Sequence, residues 1–132
     1  MQRRSRQRGF TLIELMVVIS IIVILMSVAI PRYQASILRA RETVLRDDLY
    51  NLRSVIDMYT LDKQKAPQSL QDLVDANYLK AIPMDPFTNS RETWVPMTDD
   101  RIMSPDQSQP GIIDVHSGSD LKSSEGTAYS SW

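Results

Sequence analysis

Arg8-Gly9-Phe10-Thr11-Leu12-Ile13-Glu14-Leu15 opens a run that stays apolar as far as Ile30, and this stretch decides how the chain is read. Residues 12–30 number 19 and are interrupted only by Glu14, Ser20 and Ser27. At about 1.5 Å per residue a helix of that length covers roughly 28 Å, close to the hydrocarbon thickness of a bilayer. An ionised carboxylate inside such a helix costs about 3 kcal/mol or more. Glu14 would only weaken an ordinary secretory signal, so its charge needs a separate reason. The free N–H groups and dipole at a helix N-terminus supply part of one, because they favour an anion. A neighbouring positive charge would supply the rest.

The flanks sharpen this reading. Residues 1–9 carry four arginines and no acid, which by the positive-inside rule keeps this end in the cytoplasm. Ser27-Val28-Ala29 fits a small-x-small cleavage site only loosely, and Pro31 lies just beyond it. The segment is therefore expected to stay on the mature chain.

Gly9-Phe10-Thr11-Leu12-Ile13-Glu14, behind a basic leader and ahead of an apolar helix, resembles the processing site of type IV pilin-like proteins, the class III signal. The resemblance implies that a prepilin peptidase cuts between Gly9 and Phe10 and methylates the new amino terminus on Phe10. Glu14 then becomes the fifth residue of the mature chain. Two readings of Glu14 follow. In a filament its carboxylate pairs with the Phe10 amine of an adjacent subunit, and the pair sets axial register between otherwise uniformly greasy helices. In the plainer reading it caps the helix and reaches the headgroups.

Length and charge agree with a small protein that crosses the membrane once. Of 132 residues, 123 remain after the implied cut, and about 100 of them follow the apolar helix, enough for one small domain. The formal charge of −1 conceals an asymmetry: losing four of the 15 basic residues leaves 11 against 16 acidic ones, a formal −5. Such a domain is not expected to bind nucleic acid. There is no cysteine, which excludes disulfides and thiolate chemistry. Many pilus-forming relatives close their C-terminal region with a disulfide, so this chain needs another staple or none.

Beyond the span, Pro31 removes one helix hydrogen bond and is expected to kink the helix near residue 27. Local unwinding there on assembly is the alternative that the resemblance brings. Residues 32–61 resume a helix. Leu38, Leu45, Leu52 and Tyr59 recur every seven, and Ile37, Val44, Leu49, Val55 and Ile56 fill the same face. Glu42 and Arg46 stand at i,i+4 spacing among the decorating charges. The stripe reads as the core face of a helix on its own domain, while the far side is open to neighbouring subunits. One rod of about 50 residues, roughly 75 Å long, would result.

The remainder reads as a small α+β domain. Ser69-Leu70-Gln71-Asp72 is a variant capping box opening a short helix to about Tyr78, with Leu70, Leu73, Val74 and Tyr78 as its inner face. Residues 82–89 hold two prolines in four positions and form a loop. Extended pieces are expected at 92–98, 101–103 and 111–117, and in the last Ile113 and Val115 alternate with Asp114 and His116. The fold class is α+β: a long N-terminal helix, membrane-spanning in its first half, packed on a short helix and a small antiparallel sheet. The organisation is leader 1–9, transmembrane or filament-core helix 10–30, domain-packing helix 31–62 and periplasmic domain 63–132.

The C-terminal half narrows the resemblance. The stretch from Tyr59 to Pro67, the Asp85-Pro86-Phe87 turn, Trp94, Asp114-Val115-His116-Ser117-Gly118-Ser119-Asp120, and Glu125-Gly126-Thr127 with Trp132 are similar to the major pseudopilins of type II secretion systems. That family forms a periplasmic filament, the pseudopilus, which drives folded proteins outward through an outer-membrane channel. The implied partners are further copies of the chain, the prepilin peptidase, an inner-membrane assembly platform, minor pseudopilins and membrane lipid. The implied location is the inner membrane, with the domain in the periplasm. The family also commonly binds calcium in its C-terminal loop. Asp120 matches the first acidic position, whereas Ala128 and Tyr129 replace the later paired aspartates. Asp120 and Glu125, with serines at 117, 119, 123 and 124, are the candidate ligands. A loop held by its own hydroxyl and backbone bonds, with Trp132 buried, is the alternative.

Catalysis finds little support. His116 is the only histidine, and the adjacent pairs Asp47-Asp48 and Asp99-Asp100 suit solvated surface better than acid–base work. Trp94 and Trp132 read as packing anchors. Two rivals to the pseudopilus subunit remain: a type IV pilin for adhesion, motility or DNA uptake, and a tethered periplasmic binding module. A tether has no need of Gly9, Phe10 and Glu14 at this spacing.

Overall fold

The computed structural model describes residues 9–100, 105 and 107–132. The leader ahead of Gly9 and the extended piece expected at 101–103 lie outside the described residues. The elements are α1 (Leu12–Lys63), α2 (Leu70–Asp75), β1 (Val95–Thr98), β2 (Ile112–His116) and a closing 3-10 turn (Tyr129–Ser131). The chain divides into two compact units, Met1–Ile37 and Leu38–Trp132, and α1 contributes to both.

In the first unit, Thr11 opens the helix. Its hydroxyl accepts the Glu14 N–H at 3.2 Å and its carbonyl accepts the Leu15 N–H at 3.2 Å, the arrangement of an N-cap. Every residue from Gly9 to Ile37 is exposed, apolar side chains included. The Ser20 and Ser27 hydroxyls bond back to the Met16 and Ile24 carbonyls, each at 2.7 Å. Two polar groups in the greasy run are thereby satisfied within the helix. The helix runs unbroken through Pro31.

In the second unit the inward stripe of α1 is Leu45, Leu49, Leu52, Ile56 and Tyr59. They pack with Leu73 of α2, Trp94, Ile112 and Val115 of β2, and Tyr129. The stripe is narrower than the heptad reading implied. Ile37 and Val44 are exposed and Leu38 is half-buried, while Glu42 is buried on the core side. A domain resting on one side of a helix covers only the rows it touches. Helix α1 ends at Lys63, and Gln64 then turns back with φ of 55°.

Ser69 and Asp72 form the expected capping box on α2. The helix stops at Asp75, three residues short of Tyr78, because Asn77 takes up φ of 63°, a conformation asparagine tolerates. Tyr78 instead sets its ring edge-on to Tyr59 and its hydroxyl donates to Asp62 at 2.8 Å. The antiparallel pair forms as expected, but its alternation is broken. Met97 faces Asp114 and Thr98 faces Ile112, leaving Ile113 as the extra residue of a bulge. Ile112 and Val115 are both buried as a result; Val115 lies inward as the alternation expects, whereas Ile113 is exposed against it.

Candidate functional site

The candidate site at the N-terminal end is built by Gly9, Phe10, Thr11 and Glu14. Gly9 stands clear, with space around the position of an added Cβ. Phe10 is 85% exposed. A peptidase must reach the backbone on both sides of the bond, and nothing among the described residues covers it. Glu14 lies in the first turn of α1, where the dipole favours its charge. Among the described residues no ion pair reaches its carboxylate. Thr11 is the residue the sequence reading passed over as a cap. Its signal was present as Thr11-x-x-Glu14, the spacing of a capping box, of which the Thr11 arm is formed.

A second constellation joins α1 to the C-terminal residues. Glu42 accepts the Ser124 N–H at 2.6 Å, the Ser124 hydroxyl at 2.6 Å and the Tyr129 hydroxyl at 2.8 Å. Burial pushes its carboxyl up, but the Ser124 hydroxyl and amide, the Tyr129 hydroxyl and the Arg46 charge together outweigh it and hold the group below its ordinary value. Burial and the bond to Glu42 push the Tyr129 phenol up to about 12. Arg46 does not close on Glu42 as an i,i+4 ion pair. It lies over the Trp132 ring, 4.4 Å from its centre, and reaches Glu125 at 3.2 Å. Arg53 donates to Asp114 at 2.6 Å, to the Val115 carbonyl at 3.0 Å and to the Trp132 carbonyl at 2.9 Å. Residues 42, 46 and 53 share one helix face, so three consecutive clamps hold the end of the domain.

Aromatic and Asx contacts complete the region. Phe87 stacks on Tyr129 at 3.9 Å and Trp132 meets it edge-on at 5.1 Å. Trp94 is buried and its indole N–H donates to the Pro83 carbonyl at 2.8 Å. Both tryptophans act as packing anchors. Asp85, fully buried, accepts the Phe87 N–H at 2.8 Å and the Ser117 hydroxyl at 2.5 Å. Asp48 is half-buried, and burial together with the charges of Asp47 and Asp85 raises its carboxyl.

The C-terminal loop is poorly disposed toward calcium. Asp120 is exposed and Glu125 is joined to Arg46. The Ser117 hydroxyl donates to Asp85, those of Ser119 and Ser123 accept loop amides, and that of Ser124 donates to Glu42. Among the described residues no three histidine, aspartate or glutamate side chains converge. Calcium prefers about six to eight oxygens with several carboxylates, and these donors do not fit that demand.

A helix that is apolar and uncovered over residues 10–30, opened at Gly-Phe with a glutamate in its first turn and carrying a small α+β domain, defines a pilin-like protein. Residues 4–30 match the prokaryotic N-terminal methylation motif. The type II secretion system core protein G of Klebsiella pneumoniae is 34% identical over 129 residues, which is 86% of this chain and 84% of that protein. Its counterpart in Pseudomonas aeruginosa is 36% identical over 114 residues, 74% of this chain and 80% of that protein. The type IV major fimbrial protein FimA of Dichelobacter nodosus is 40% identical over 78 residues, but these are 59% of this chain and 49% of that protein. No solved structure matches the chain. The chain belongs to the type II secretion system core protein G family.

Proposed function

We propose that a prepilin peptidase cuts the chain between Gly9 and Phe10 and methylates Phe10. The mature protein then polymerises as the major subunit of a periplasmic pseudopilus that drives type II secretion. The observation that carries this reading is the fully exposed apolar surface of residues 10–30 with Glu14 in its first turn. Before assembly lipid covers that surface, with the basic leader cytoplasmic and the domain periplasmic. In the filament, other copies of the same helix cover it. Glu14 pairs there with the methylated amine of Phe10 on a neighbour, and two charges leave water together rather than singly. The platform and minor pseudopilins of the inner membrane guide assembly, and the role is structural rather than enzymatic. Family membership supports this over a type IV pilus, because the fimbrial relative matches only 59% of the chain. The reading includes no cofactor: calcium on Asp120 and Glu125 would first have to displace Arg46 from Glu125.

N-terminal peptide mass spectrometry on protein from native inner membranes tests the processing step. A chain beginning at methylated Phe10 is expected; an intact Met1 terminus would overturn it. Glu14→Ala tests assembly. The variant is expected to be membrane-inserted and cleaved yet to form no filaments and to abolish secretion. Normal filaments and secretion would refute the register role of Glu14.

A further inference from the structure

The geometry points to Glu42 as the residue that orders the C-terminal loop, an anion donated by helix α1 that fastens the loop without any bound cation. Residues 122–128 fold back on themselves. Lys122 and Ala128 pair in an antiparallel bridge, the Ser123 N–H donates to the Thr127 carbonyl at 2.7 Å, and the Gly126 N–H donates to the Ser123 carbonyl at 3.0 Å. Gly126 has φ of 87° with open space around it, which lets the turn close at a conformation side chains disfavour. Inside the turn the Ser123 hydroxyl accepts the Glu125 and Thr127 amides, each at 3.2 Å.

Those bonds leave the Ser124 N–H at the tip, pointing away from the turn. Glu42 meets it. One carboxylate oxygen takes the Ser124 N–H and the Tyr129 hydroxyl, and the other takes the Ser124 hydroxyl. The next residue along the tip, Glu125, meets Arg46, the next residue along the helix face. Two neighbours in the loop thus match two residues one helical turn apart, Ser124 by hydrogen bonds to Glu42 and Glu125 by an ion pair with Arg46. Glu42 is 5% exposed, and hydrogen bonds to a buried carboxylate are worth about twice a neutral pair. A dication entering on Asp120 and Glu125 would meet the Arg46 guanidinium already seated on Glu125, and it would find the Ser124 hydroxyl already held by Glu42.

Hydrogen exchange read by mass spectrometry on the full chain in detergent micelles tests this. In the unmodified protein, exchange over residues 121–131 is expected to be equally slow with chelator and with added calcium chloride. Glu42→Ala is expected to speed exchange there about tenfold or more while residues 49–59 keep their protection. Glu42→Gln, which keeps one acceptor oxygen, should fall between the two. In both variants the Tyr129 phenol should titrate below its value of about 12 in the unmodified protein by the part that Glu42 contributes, while its burial still holds it up. If Glu42→Ala also loosens residues 49–59, Ser124→Ala decides, because it removes only the hydroxyl arm and should still speed loop exchange. Loop protection that requires calcium, or that survives both Glu42→Ala and Ser124→Ala, would overturn the assignment.

Discussion

Replacing Asp85 tests whether a buried carboxylate, with no ion pair among the described residues, can hold a turn. Asp85 is 0% exposed and its bonds are to the Phe87 amide at 2.8 Å, the Thr88 amide at 3.4 Å and the Ser117 hydroxyl at 2.5 Å. Asp85→Ala strands the Phe87 N–H and the donor side of the Ser117 hydroxyl, each costing about 1–3 kcal/mol. The long Thr88 contact adds little. Two gains oppose this loss: a buried charge no longer needs desolvation, and Asp48 loses a like-charged neighbour. The net expectation is a loss of about 2–4 kcal/mol. For a domain of this size that lowers the melting temperature by roughly 10–25 °C. Asp85→Asn keeps the acceptor for Phe87 and should lose about 1–1.5 kcal/mol. The assay is thermal unfolding in micelles followed by tryptophan emission, to which Trp94 contributes with an indole bonded to Pro83 two residues before the substitution. An Asp85→Ala protein that melts within a few degrees of the parent would refute the reasoning, since the stranded donors would then have found other partners.

Two further expectations follow from the same contacts. Leu52 is 0% exposed at the centre of the core, so Leu52→Ala should lose about 2–5 kcal/mol in the same unfolding assay, whereas Val44→Ala on the outer face should stay within about 0.5 kcal/mol. Glu42, Asp72 and Asp114 are all held below their ordinary values: burial raises each, but hydrogen bonds and the charges of Arg46, Lys65 and Arg53 outweigh it. A depressed carboxyl contributes stability that is present above its unfolded value and is lost as pH falls through its folded one. The melting temperature should therefore hold from neutral pH down to about 5 and drop below about 4. Asp48, raised by burial and by Asp47 and Asp85, works in the opposite sense but alone; a melting temperature that rises below about pH 4 would refute the balance.

Much of the molecule is legible in its amino-acid sequence. The apolar run with Glu14 near its start, the seven-residue spacing of Leu45, Leu52 and Tyr59, and the Ser69–Asp72 box are local signals, each read from residues within a turn or two of one another. They determined the long helix, the short helix, the α+β class and the pilin-like N-terminus. The Thr11 cap is a local signal of the same kind, carried by the Thr11-x-x-Glu14 spacing. What the sequence could not supply is the partner of each charge. Spacing joins Glu42 to Arg46, yet the fold sends Glu42 inward to Ser124 and Tyr129, 82 and 87 residues along the chain, and Arg46 to Glu125. The bulge that buries Ile112 and exposes Ile113 is equally invisible to simple alternation. Local periodicity decides which face of an element is apolar. Which distant polar group meets which, and so what holds a disulfide-free C-terminus, is decided only when packing brings them together and desolvation makes every unmatched partner costly.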